Sequence, residues 1–322
     1  MDAGDAFFAS AILANQNADG DKLQAKGLLQ GYEKIGCDAL NVGGFDLAAG
    51  KEFLMSLSER SSIPFISANL TDTNDNLLFP AQVIIERSGF KIGVTGFSDL
   101  IPQHIDDVKK RPYVESVNKV IAEMKSAVDY VVLLANVKRK KVNGLVANFP
   151  DADYIFISRD TQRTRPTIKQ VDGGPYVYSS GVQGKYLTMV NISLADVSQP
   201  IVDISTATGK ITSINQRLEK LQKKDPVRTI EEMYADKPNV LKLVSDYRQQ
   251  LVKYETIMAD AINTTQYESI PLSKAVGEDA ELLAFVDETL ATCSALRKKN
   301  IKLSKNIIKP KSGPLKKTIS IN

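Results

Sequence analysis

Few side chains in this sequence can do chemistry, and the best placed lie around one glycine turn. Ile35-Gly-Cys-Asp-Ala-Leu-Asn-Val-Gly-Gly-Phe-Asp-Leu-Ala-Ala-Gly50 reads as a helix end, a short buried strand (38–42), a turn and a new helix. Gly43 and Gly44 permit a sharp turn and close backbone approach. Asp46 then lies near a helix N-terminus, where a carboxylate is favoured. A strand that enters a helix through such a turn is where open α/β proteins hold ligands. Residue type excludes other chemistries. The chain has one histidine, His104, with no nucleophile elbow near it. No Gly-x-x-x-x-Gly-Lys-Ser/Thr phosphate loop is present. Two cysteines, Cys37 and Cys293, are too few for a disulfide framework or a Cys-rich metal centre.

The elements around that turn read as α/β. Helices are predicted over 6–14, 22–35, 47–58, 114–127 and, with a basic character, 137–148. Strands are predicted over 63–70, in a hairpin of 82–87 with 90–97 about Ser88-Gly89, and over 129–135 and 151–157. The continuous apolar run 129–135 suits a strand buried on both faces. Strands over 176–179 and 186–195 follow, then a hairpin of 201–205 with 210–214. The 322 residues are 43% hydrophobic, enough for a sizeable core, and the net charge of +3 does not mark the whole chain as nucleic-acid binding. No run of 18 apolar residues is present to span a membrane.

Seven segments, in order, resemble the 5'-nucleotidase and UDP-sugar hydrolase family of the calcineurin-like metallophosphoesterases. Asp2-Ala-Gly-Asp5-Ala-Phe7 resembles its Asp-x-Gly-Asp-x-Phe motif. Asp38-Ala39, Gly43, Asp46 and Gly50 fit its Asp-Ala-x-x-x-Gly-Asn-His-Glu-x-x-x-Gly frame, and Gly184-Lys-Tyr-Leu187 resembles its closing strand. The resemblance implies a sandwich of two mixed β-sheets flanked by helices, with a helical C-terminal region added here. It implies that Asp5 occupies a metal-bridging position, although the strand expected before it is missing. It also shows what has changed. Gly44 stands where the family has a metal-bridging Asn, and Phe45 where it has its catalytic His. Asn136 stands where the family has a His metal ligand, and Arg159 and Thr161 occupy two further His positions, with Asp160 between them.

The remnant set is thus Asp5, Gly44, Phe45, Asp46, Asn136, Arg159, Asp160 and Thr161. Asp5 and the Asn136 carbonyl are the candidate metal ligands, suited to at most one hard ion such as Mg²⁺ or Ca²⁺; no other cofactor is expected. Arg159 is expected either to pair with Asp5, or another acid of the site, in place of a metal or to point to solvent with Arg163 and Arg165. The reading is a degenerate homologue, catalytically inactive, acting as a binding or structural protein. The alternative is a weak metal-dependent phosphoesterase using the remnant site. By resemblance the location is periplasmic or extracellular, although no signal peptide precedes Asp2.

The metallophosphoesterase-like domain is placed at 1–215 and a helical region at 216–296. Within the latter, helix 238–262 carries a coiled-coil-like seam: Val240, Val244, Tyr247, Leu251, Tyr254, Met258 and Ala261. Val244, Leu251 and Met258 are candidate contacts for a protein partner or a second copy, and packing on 218–221 or 282–296 of the same chain is the other possibility. The tail 297–322 holds nine basic residues and no acid. It is expected to be disordered, or else drawn to an acidic surface. Without aromatics between its lysines it lacks stacking platforms, and no sequence-specific nucleic-acid binding is expected.

Overall fold

A computed structural model describes residues 1–307 apart from Gln16, Thr167, Lys169, Asp172 and Val197. The chain opens with an extended segment whose Asp2 bridges Leu40 in parallel. Then follow α1 (Ala18–Lys34), β1 (Leu40–Asn41), α2 (Lys51–Arg60) and β2 (Phe65–Ile66), the last parallel to β1. β3 (Leu70–Thr71) later pairs with β6 (Lys109–Lys110). Between them run β4 (Gln82–Arg87) and β5 (Phe90–Ser98), an antiparallel hairpin. α3 (Tyr113–Met124), β7 (Tyr130–Asn136), α4 (Leu145–Asn148), β8 (Tyr154–Ser158) and β9 (Tyr176–Ser179) complete a five-stranded mixed sheet of order β4-β5-β7-β8-β9.

The C-terminal part supplies β10 (Tyr186–Ser193), β11 (Ile201–Asp203), α5 (Ser205–Gln222), α6 (Ile230–Met233), α7 (Pro238–Asp260), β12 (Asn263–Pro271) and α8 (Ala280–Ile307). β12 lies between β10 and β11 in a three-stranded sheet. One apolar core joins the layers. Val94, Val132, Leu134, Tyr154 and Tyr176 of the large sheet pack with Ala39 and Ile66 of the β1–β2 layer and with Tyr267 of β12. On the other face Val117, Val120, Ile121 and Met124, spaced to share one side of α3, pack on Leu133, Ala135 and Ile155. This is the α/β sandwich of mixed sheets flanked by helices that the sequence implies.

Several elements differ from expectation, each for a local reason. Residues 6–14 are irregular rather than helical. The Asp46 carboxylate takes the N–H groups of Asp5 and Phe7, and the adjacent Phe7 and Phe8 are both buried, which a surface helix would not allow. The basic stretch 137–148 is a 3-10 turn (Arg139–Gly144) running into the short α4. In place of the hairpin 201–214, only Ile201–Asp203 is strand. Ala207, Ile214, Leu218 and Leu221 recur at helical spacing and drive α5 instead. The region 216–296 is not wholly helical, because Thr264 to Ile270 carries the β-branched and aromatic pattern of β12. The tail is helical as far as Ile307, held at Arg297 by Asp21 and Gln24 of α1; residues 308–322, the rest of the expected disordered tail, lie outside the described residues.

The α7 seam closes within the chain. Val244 is 1% exposed and clusters with Ile230 and Tyr234, with Leu218 and Leu221 of α5 against them. Leu251 and Met258 are half-buried, and Met258 Sδ lies 4.0 Å from Thr208 Oγ1 of α5.

Candidate functional site

Parallel strands end together, and that is what gathers the remnant residues. Ser98, Asn136 and Ser158 are register partners at the C-terminal ends of β5, β7 and β8. Asp5 and the Gly43–Asp46 turn arrive from the facing β1 layer. Asn136 joins the two sides: its Oδ1 accepts from the Gly44 N–H (3.2 Å) and the Ser98 hydroxyl (3.1 Å), while its amide nitrogen donates to Ser158 Oγ (2.8 Å). Ser158 in turn donates to the Ala3 carbonyl at 2.8 Å.

Asp46 is fully buried and holds the turn. Its Oδ2 accepts from Gly43 N (2.8 Å) and Asp5 N (2.9 Å), and its Oδ1 from Phe7 N (3.0 Å). No side chain fits at Gly43, where a Cβ would lie 2.3 Å from Asp5 N and 2.4 Å from Asp5 Oδ1. At Gly44 a Cβ would lie 2.8 Å from both the Cβ and the carbonyl oxygen of Leu100. The segment after β5 therefore fills the space that a ligating side chain at Gly44 would need.

Asp5 and Arg159 form the centre. Asp5 Oδ1 accepts from Phe45 N–H at 2.7 Å. Its Oδ2 lies 3.1 Å from Arg159 Nε, a close ion pair without hydrogen-bond alignment. Arg159 Nη1 reaches Asp99 Oδ1 at 3.2 Å, and the guanidinium stands 5.0 Å from the centre of the Phe45 ring. The Arg159, Asp5 and Asp99 side chains are only 8–9% exposed. Asp5 (φ 62°) and Arg159 (φ 64°) both adopt the left-handed conformation. Non-glycine residues persist there only when their surroundings fix them, as they do at many functional sites.

The remaining remnant residues diverge. Asp160, 1% exposed, turns to Arg139 Nη1 at 2.9 Å, and Thr161 faces solvent. Asp99, Arg139 and Lys141 were not among the residues singled out from sequence. Lys141 Nζ lies 3.2 Å from Asp99 Oδ2 and over the Tyr113 ring. The available signal was position, since Ser98-Asp99 directly follows the apolar run of β5 at the ligand-bearing end of a parallel strand.

Burial is the main influence on the acids. It raises Asp5 above the ordinary carboxylate range, against the opposing Asn136 amide, Phe45 N–H and Arg159 charge. Asp46 is pushed up to about 8, first by burial and then by the Asp5 charge, with its N–H donors opposing. Burial also raises Asp2, against the Tyr32 hydroxyl and Gly4 N–H that it accepts.

This donor set does not fit the divalent ion expected at Asp5 and Asn136. One Asp5 oxygen is taken by a backbone N–H and the other faces a guanidinium. The Asn136 oxygen already accepts two hydrogen bonds, and its amide N–H₂, which cannot ligate a cation, faces Ser158 and Asp5. Among the described residues, no three His, Cys, Asp or Glu side chains are grouped to hold a metal.

The chain is 32% identical over 114 residues to a 5'-nucleotidase of Vibrio cholerae, and 30% identical over 114 residues to one of Vibrio vulnificus. Each match covers 33% of this chain, which spans about a fifth of the length of these curated relatives (21%). No family model matches. Among solved structures, a calcineurin-like phosphoesterase of Bacillus subtilis superposes with TM-score 0.57 at 15% identity, covering 92% of this chain and 83% of that one. A putative 5'-nucleotidase of Staphylococcus aureus gives TM-score 0.54 at 14% identity, covering 89% and 48%. The fold is similar to that of a calcineurin-like phosphoesterase. Over those 114 residues the sequence is similar to 5'-nucleotidases.

Proposed function

We propose that this chain is a catalytically inactive relative of the 5'-nucleotidases, retained as a binding or structural protein, and that it works in the periplasm or outside the cell as an exported relative would. The supporting observation is the Arg159 guanidinium lodged between Asp5 and Asp99. Metal-assisted phosphoester hydrolysis needs ions that lower the pKa of a water and stabilise the attacking and leaving oxygens. A guanidinium stabilises anions but stays protonated and has no open coordination position for water. Here it also faces two carboxylates. Arg159 neutralises the buried acids while leaving nothing to activate the nucleophile. The test is turnover of a generic phosphodiester and of a nucleoside monophosphate by the purified chain with Mn²⁺, Zn²⁺, Mg²⁺ or Ca²⁺. No turnover is expected. Hydrolysis that disappears in Asp5→Ala would replace this reading with the weak phosphoesterase.

A further inference from the structure

The end of the large sheet that carries Arg159 is basic, in a chain whose body is not. Of 41 basic residues against 38 acidic ones, nine basic residues lie in the C-terminal tail, so the remainder is net acidic. Two basic runs far apart in sequence nevertheless meet at this end: Lys109-Lys110-Arg111 and Lys138-Arg139-Lys140-Lys141. Asp99 joins them. Lys141 and Arg159 each lie 3.2 Å from one of its carboxylate oxygens, and Lys110 Nζ donates to its main-chain oxygen. Arg139 holds Asp160 at 2.9 Å with half of its own side chain exposed. Lys138 and Lys140 are exposed and have no partner among the described residues. The positive charges outnumber the acids between them, and two internal carboxylates already sit in that field.

The same surface lacks what other partners require. No large apolar side chain of segments 98–113 or 136–163 is exposed, whereas a protein interface needs an apolar or aromatic anchor at its centre. No Phe, Tyr or Trp of these segments is exposed either, which weakens base stacking as a source of grip. Charge is what remains.

We infer that this end of the sheet binds a flexible polyanion with closely spaced phosphate or sulfate groups. The inference gives chemistry to the binding role proposed above. Binding is measured with the full chain by fluorescence anisotropy of labelled inorganic polyphosphate and labelled heparin fragments across a salt series. Lys138→Glu/Lys140→Glu is compared with Lys316→Glu/Lys317→Glu in the tail. The first variant is expected to melt like wild type, to weaken binding at least about tenfold, and to reduce the slope of log K against log salt by about 1.4, two phosphate contacts' worth. Tighter binding of polyphosphate or of heparin identifies phosphate or sulfate as the group recognised. The inference is overturned if Lys138→Glu/Lys140→Glu binds like wild type, if only the tail variant loses binding, or if polyglutamate binds as tightly as polyphosphate. Orthophosphate release is followed in the same samples; release with binding retained would refute the non-catalytic reading and leave this surface standing.

Discussion

Replacing Arg159 with Met removes the charge between Asp5 and Asp99 while keeping a side chain of comparable length over Phe45. All three partners are at most 9% exposed, so solvent screens them little. Removing one partner from a buried pair leaves an uncompensated charge at a cost of about 3–5 kcal/mol. The lower end applies here, because Lys141 still faces Asp99. For a protein of this size that corresponds to a fall in Tm of about 5 °C. Urea unfolding followed by circular dichroism measures it without the competing cation that guanidinium chloride would introduce. Asp5→Asn/Arg159→Met completes a double-mutant cycle. Neutralising both partners is expected to cost less than the sum of the single changes, with a coupling of about 1–3 kcal/mol. Arg159→Met within about 1 °C of wild type on the ~5 °C scale, or an additive cycle, would rule out a buried pairing of this strength.

Other outcomes follow from the same geometry. Asp2, Asp5 and Asp46 all have folded pKa values above their unfolded ones, so the native state binds more protons and stability falls as pH rises from about 4 through about 8. The urea midpoint is therefore expected to be lower at pH 8 than at pH 5, with a flatter dependence in Asp46→Asn. Gly43→Ala drives a Cβ to 2.3 Å from Asp5 N and is expected to cost about 3 kcal/mol by overpacking. Gly31→Ala, in α1 with nothing within 4 Å, is the control and is expected to stabilise by about 0.5–1 kcal/mol. At Gly27 a Cβ would lie 2.4 Å from Thr289 Cγ2 of α8. Gly27→Leu is thus expected to loosen α8 from α1 and speed limited proteolysis within 280–307, with no change if α8 docks elsewhere.

Much of the fold was legible because the parallel strands announce themselves. The apolar run 129–135 suits a strand buried on both faces, and α3 presents Val117, Val120, Ile121 and Met124 on one side. The glycine turn was legible for the same kind of reason, since Gly43 leaves space that only a backbone can use. What escaped was non-local. Asp46 reaches back 41 residues to hold Asp5 N–H, and that contact, invisible in local propensity, keeps 6–14 from becoming a helix. β12 carries a modest strand pattern, but its place between β10 and β11 is set by long-range pairing, as of Asn191 with Gln266, and Asn191 also bonds to Glu268, 77 residues on. Asp99 is signalled only by its place directly after β5, and Lys141 matters through its contact with Asp99, which no spacing along the chain reveals.

If, as proposed, Arg159 holds the charge position a metal would otherwise take, the chain keeps no ion of its own, and bound metal is measured first. Wild-type chain is incubated with Mn²⁺, Zn²⁺, Mg²⁺ or Ca²⁺, freed of excess ion and analysed for bound metal per chain. No stoichiometric metal is the expected result. Close to one equivalent per chain, lost in Asp5→Ala, would contradict the account.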